Sequence, residues 1–268
     1  MKKIILLFLI NFFFLTTVDA QTQVKDSLKL LLQKEKTDTG RVLLLADLGF
    51  EYMGSKQDTI MVLALEGLSL SRRIGFIKGE AVSLNRIGNA FNGFGNYPKA
   101  MESFLKALKI NEKIKNTDGI QRNLNNIGVV HLSQEDYQRA LAYLFKSKEL
   151  AEKNNNKRSI SISLGYIGLA YLNLKKIDSA RLYTQQAHDV AYEIHFPRII
   201  GSSLTTLGGI HSQTGQNKLA LEYYRLSAPY SERAENFADL SNTYLGMAKL
   251  FKKIDRMILV LFMQKNLF

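Results

Sequence analysis

From Leu84 onward, apolar and small side chains fall at a fixed set of places: Leu84, Ile87, Gly88 and Phe91, then Ala100, Phe104 and Ala107. The steps are i, i+3, i+4, i+7 and i, i+4, i+7, which put each set on one face of an α-helix. Forty residues later the set returns as Leu124, Ile127, Gly128 and His131, then Ala140, Leu144 and Ser147. It returns again as Leu164, Ile167, Gly168, Tyr171, Ala180 and Ala187, and once more as Leu204, Leu207, Gly208, His211, Ala220 and Tyr224. A period of this length with two helical stripes per period predicts a chain of helical hairpins.

The pattern extends in both directions. Leu45, Leu48, Gly49 and Tyr52 repeat the first stripe one residue out of step, while Ile60, Leu63 and Gly67 repeat the second, so a shortened turn is expected around Ser55. Tyr244, Met247, Ala248 and Phe251 begin a further first helix. Glycine inside a helix costs ~1 kcal/mol relative to alanine, so its return at Gly88, Gly128, Gly168 and Gly208 needs a packing reason. Close approach of two helix axes, with Ala100, Ala140, Ala180 and Ala220 opposite, supplies one.

These positions resemble the tetratricopeptide repeat, whose signature places Leu-Gly and Tyr on one helix and Ala, an aromatic and Ala on the next. The resemblance covers about residues 41 to 256, roughly five and a half units. The 40-residue unit is similar to the family's longer variant and to the exported sensory arrays of bacterial receptors of histidine-kinase or transcription-regulator type. His131 and His211 stand in place of Tyr, and Thr184 in place of the second aromatic. The resemblance implies an all-α, right-handed solenoid whose first helices line a concave groove, with no catalytic site and no cofactor.

Both ends differ from the array. Met1 to Lys3 are basic at two of three places, Ile4 to Leu15 are almost wholly apolar, and Val18, Asp19 and Ala20 end in a small residue. These are the parts of a secretory signal, with the cut expected after Ala20. Residues 21 to 40, with Val24, Leu28, Leu31 and Leu32 on one stripe, are expected to form a capping helix. After Arg256, the run Met257 to Met263 is apolar throughout and lacks the alanine column, so residues 257 to 268 read as an aberrant apolar tail of the kind a shifted reading frame would produce.

Composition narrows the chemistry. The formal charge is +12 and there is no cysteine, which removes disulfides, thiolate metal sites and thiol nucleophiles. Export to the periplasm or beyond takes most of the nucleic-acid meaning from the basic balance, so no nucleic-acid partner is expected. A membrane partner is expected only through an uncleaved leader or a further segment. His188 and His195 are seven apart, whereas a metal pair on a helix wants i, i+4, so no metal site is expected. Gly93 and Gly95 follow a helix rather than a strand and read as turn residues, and no nucleophile-elbow, zinc-protease or kinase motif is found.

What remains is a groove. Places 2, 5, 9 and 12 of each unit are expected to face solvent there: Val82, Asn85, Asn89 and Asn92, then Arg122, Asn125, Val129 and Leu132. Ile162, Gly165, Leu169 and Leu172 follow, then Ser202, Thr205, Gly209 and Ser212. The binding set is Asn85, Asn89, Asn92, Arg122, Asn125, Leu132 and Leu169, because amides offer a donor and an acceptor to an extended peptide backbone whatever its sequence. The carboxylate-holding subtype of the family wants a Lys where Asn85 stands and basic residues where Ile162 and Tyr166 stand, so its specificity is not implied. The functional expectation is a scaffold that binds a protein or peptide segment. The alternative is the sensory part of a signal-transducing receptor.

Overall fold

The computed structural model describes residues 19–265, with side chains described for 24–253. The expected signal segment therefore lies mostly outside the described residues, as do the side chains of the apolar tail. Among the described residues twelve helices follow one another: α1 Asp19–Lys34, α2 Asp38–Glu51, α3 Gln57–Arg73, α4 Ile77–Gly93, α5 Tyr97–Lys113 and α6 Thr117–Ser133. Then come α7 Tyr137–Lys153, α8 Lys157–Asn173, α9 Ile177–Glu193, α10 Pro197–Gln213, α11 Asn217–Arg233 and α12 Phe237–Lys265. No strand occurs among the described residues, and the fold is an all-α helical-repeat solenoid.

Helices α3 to α11 are each 17 residues long, and three-residue turns join them, so the structural period is half the sequence period. The turns share one backbone scheme. A residue with positive φ recurs at Gly75, Gly95, Lys115, Glu135, Asn155, Lys175, His195, Gly215 and Glu235. In eight of these nine turns the amide after it reaches back to the last helical turn, as in Asn96 N to Phe91 O at 2.8 Å and Lys176 N to Tyr171 O at 2.9 Å. This closure satisfies helix carbonyls that would otherwise be orphaned, and it favours glycine because a Cβ crowds the left-handed region. Asn96, Asn116, Asp136 and Asn156 then cap the next helix by accepting from the amide three residues on.

The first turn departs from this scheme. One residue fewer separates Gly49 from Ile60 than separates Gly88 from Ala100, yet the connection does not tighten. Helix α2 ends at Glu51, and Tyr52–Lys56 form a longer turn with Gly54 at φ 86°. Uncoiled residues span about twice the rise of helical ones, so unwinding the end of α2 recovers the distance that the missing residue would have covered.

The chain divides into two compact units, residues 1–155 with 233–235, and residues 156–232 with 236–268. In the first unit α2 to α7 pack consecutively, and first helices also touch one another, α2 against α4 and α4 against α6. The first helices therefore form the inner layer of the unit. Its core includes Ala100, Phe104, Ile127 and Val130, all at most 1% exposed. In the second unit α8, α10 and α12 are the inner helices, and one core cluster joins Leu164, Ala187, Ala191, Ile199, Ile200 and Leu204.

The repeat glycines sit at helix contacts as expected. A Cβ on Gly88 would lie 2.5 Å from the Phe104 ring, and one on Gly168 would lie 2.3 Å from Thr184 Oγ1 and 3.0 Å from its backbone nitrogen. The residue at place 11 of the first helix stacks on the residue at place 23 of the second: His131 on Tyr143 at 5.5 Å, Tyr171 on Tyr183 at 5.5 Å and His211 on Tyr223 at 5.1 Å. His131 and His211 are thus packing residues. Burial lowers the His131 pKa, with Asp136 opposing the shift.

Both ends depart from the repeat. Val24 and Leu31 of the expected capping stripe are 44% and 52% exposed, and only Leu28 and Leu32 of that stripe are half-buried. At the other end, α12 runs without a break from Phe237 to Lys265, through residues 254–256, where the 20-residue structural period would place the next turn. The apolar run Met257–Met263 has no glycine, proline or capping residue to stop a helix, so the helix continues through it. No helix among the described residues is long and apolar enough to cross a membrane.

Candidate functional site

The inner face of the first unit holds a cleft of about 210 Å³ between α2, α4 and α6. Leu43 and Asp47 come from α2, and Lys78, Ala81, Val82, Asn85 and Arg86 from α4. Gly119, Arg122 and Asn123 come from α6, and Asn111 reaches it from α5. A Cβ on Gly119 would meet Asn111 Oδ1 at 2.2 Å, so the Asn111 carboxamide would have to move aside for any larger residue there.

Asn85 and Asn125 do not face solvent as expected; they are 5% and 6% exposed. Place 5 of a first helix points toward the neighbouring first helix of the same inner layer, so its polar group is spent on the protein. Asn126 Nδ2 donates to Asn85 Oδ1 at 3.2 Å, and Asn85 Nδ2 donates in turn to Asn123 Oδ1. The amides form a directed chain across α6 and α4. It ends at Asn123 Nδ2, a donor on a side chain with no exposed surface and with no hydrogen-bond partner among the described residues.

The other expected groove residues are distributed as follows. Arg122 is exposed and lines the cleft. The cleft walls still desolvate it and lower its guanidinium from the ordinary value, with Asp118 and Asp47 opposing that shift. Asn89 is half-buried, and its Nδ2 contacts the Met53 sulfur at 3.7 Å. Asn92 and Leu132 are half-buried toward the hairpin-turn end of their helices and do not line the cleft. Leu169 is half-buried in the second unit.

Sequence reasoning missed Asp47, Lys78, Arg86 and Asn123. Arg86 is a positioning group: it is 9% exposed, its Nε donates to Ala46 O at 2.8 Å, and its guanidinium lies over the Phe50 ring at 5.2 Å. Lys78 is exposed and has no ionic or hydrogen-bonded partner among the described residues. Asn123 occupies place 3, where the other units carry Ser83, Ser163, Ser203 and Thr243, every one buried. A larger amide in a column of small hydroxyls was the available signal.

In the second unit the inner face brings Tyr166 of α8, Arg198 of α10 and Asp239 of α12 into electrostatic contact. Burial pushes the Asp239 carboxyl up to about 6, with Arg198 pulling the other way. Burial and the Asp239 charge raise the Tyr166 phenol. Asn236 Nδ2 donates to Asp239 Oδ2.

Two hairpins match family models for the tetratricopeptide repeat, at residues 81–114 and 124–158. Among solved structures, a Rap protein complexed with Competence and Sporulation Factor aligns at TM-score 0.62 and 15% identity, covering 88% of this chain and 71% of that one. Aspartyl phosphate phosphatase F from Bacillus subtilis aligns at TM-score 0.57 and 17% identity, covering 88% of this chain and 67% of that one. The Rap conjugation gene regulator of the plasmid pLS20, in complex with the Phr* peptide, aligns at TM-score 0.53 and 14% identity, covering 89% and 75%. At these identities the likeness is one of fold. No curated protein matches the sequence significantly.

Proposed function

We propose, from the premise that this chain is a tetratricopeptide-repeat protein, that it is an exported, non-catalytic scaffold holding a polypeptide segment against the first-helix face of its first unit. The observation that carries this reading is the cleft between α2, α4 and α6, which presents the exposed charged groups of Asp47, Lys78 and Arg122 on the inner layer. Extended peptides bind such faces through main-chain hydrogen bonds, with pockets selecting among side chains. Two proteins of similar fold are described with a bound factor or peptide, which supports the same use here. The apolar leader supports export.

The test is selection of binding peptides from a displayed library, followed by photo-cross-linking. A photoreactive residue at Val82 or Val129, on the inner helices α4 and α6, should capture the selected peptides. One at Leu105, on α5 and 47% exposed, should not. Capture at Leu105 alone would reject the reading.

A further inference from the structure

Places 4, 8 and 11 of a first helix are covered by the second helix of the same unit. In α10 these are Leu204, Gly208 and His211. Leu204 and His211 are 6% and 9% exposed, the Tyr224 ring lies against Gly208, and Tyr223 stacks on His211. The same places in α12 are Tyr244, Ala248 and Phe251, and all three are exposed, the two aromatics at 51% and 47%. The cause is the continuation of α12, which does not turn back to lay a second helix over its own stripe. Its opposite side is packed: Leu250 joins Ala220 and Tyr224, and the Thr243 hydroxyl bonds to those of Thr205 and Ser227. Helix α12 is therefore held in place with one interface of the repeat left open.

The stripe itself says what fits it. It takes a helix, as in the units before it, and one with a small residue where the axes cross, as Ala220 and its column provide. The α12 stripe has that composition: an aromatic, a small residue and an aromatic, nearly symmetric about Ala248. Turned about a two-fold axis near Ala248, α12 lays Tyr244 against Phe251 of a second copy and Phe251 against its Tyr244, the mutual contact of an isologous pair. Ala248 meets its own equivalent at the crossing, where small side chains let the axes approach to about 8 Å. Charge favours the same antiparallel orientation. Lys252 and Lys253, both exposed, fall opposite the Asn242–Tyr244 end of the second copy, whereas parallel helices would set lysine against lysine.

We propose that the chain forms a two-fold dimer through α12, in which a second copy covers the stripe of Tyr244, Ala248 and Phe251. This interface lies in the second unit and is independent of the binding face proposed for the first.

The full chain has no cysteine, so a single introduced one reports cleanly. A disulfide forms only where two Cβ atoms come within about 4 Å, so Ala248→Cys should cross-link to a dimer under mild oxidation about tenfold faster than Leu182→Cys. Leu182, on α9, is 54% exposed and serves as the control. Analytical ultracentrifugation should find twice the mass of one chain. Tyr244→Lys combined with Phe251→Lys, both at exposed places, should return it to one chain with an unchanged circular dichroism spectrum. A chain that stays single across the concentration range overturns the proposal, whichever other helix then covers the stripe. A dimer that survives the paired lysine substitutions, or cross-linking of Leu182→Cys as fast as of Ala248→Cys, overturns it too. Should the paired substitutions lower helicity, the cysteine comparison decides alone.

Discussion

Helix α8 carries two glycines three residues apart, and the structure assigns them opposite effects on stability. A Cβ at Gly165 would find Ala187 Cβ at 3.9 Å and Ile199 Cγ2 at 4.0 Å, which is ordinary contact. Gly165→Ala therefore keeps only the helix-propensity gain, about 0.5 to 1 kcal/mol of added stability. A Cβ at Gly168 would lie 2.3 Å from Thr184 Oγ1, 3.0 Å from Thr184 N and 3.2 Å from Thr184 Cα. The hydroxyl can rotate away, but the backbone of α9 cannot, so the two helices must separate. Overpacking of this kind costs about 1 to 3 kcal/mol. Set against the propensity gain, Gly168→Ala should be destabilising by about 1 to 2 kcal/mol. For a chain of this length each kcal/mol moves Tm by about 2 to 4 °C. Thermal unfolding followed by circular dichroism should show Gly165→Ala melting above the parent and Gly168→Ala several degrees below it. Shifts of the same sign in both variants would refute the assignment of the repeat glycine to close helix contact.

The left-handed turn residues give a second test: Glu135→Gly and Lys175→Gly, at φ 61° and 58°, should each raise stability by up to about 1 kcal/mol, measured by chemical denaturation. The capping column gives a third, since Asn156 accepts from Ser159 N at 3.0 Å and Asn156→Ala should cost about 1 kcal/mol in the same assay. Asp239 makes the stability of the second unit depend on pH. Its folded-state pKa, near 6, lies above the ordinary 3.8, so the folded state disfavours the ionised form and loses stability as pH rises from about 4 to 6. At about 1.4 kcal/mol for each pH unit between those two values, the loss is at most about 3 kcal/mol, and Asp239→Asn should be the more stable chain at pH 7 but not at pH 4. For export, mass spectrometry of the secreted product should find Gln21 as the first residue, and Met1 retained would contradict the leader.

The hairpins were legible because their cause is periodic. A face that must be apolar every three or four residues, and small wherever two axes approach, leaves the same mark in every unit, and Gly88 and Gly168 perform as their spacing implies. The halved period of the turns was harder to see. At Lys115, Glu135 and Lys175 a residue with no preference for positive φ holds the place that Gly95 and Gly215 occupy, so composition hides a conformation that the backbone repeats. The cleft was only partly legible. Arg122 is exposed, as its place in the unit implies, and lines the cleft. Asn85 was not foreseen as buried, because a rule for which places face the groove does not distinguish solvent from a neighbouring helix in the same layer. Asn123 escaped because its column otherwise holds small buried hydroxyls, and its importance lies in a hydrogen-bond direction that no spacing encodes.

If a polypeptide segment lies along α4 and α6, a crystal structure of the chain with a peptide selected by display will show it. The peptide main chain should run on the inner helices of the first unit, beside the cleft that Asp47, Lys78 and Arg122 line. A peptide seated on the second helices α5 and α7 would contradict this mode of binding.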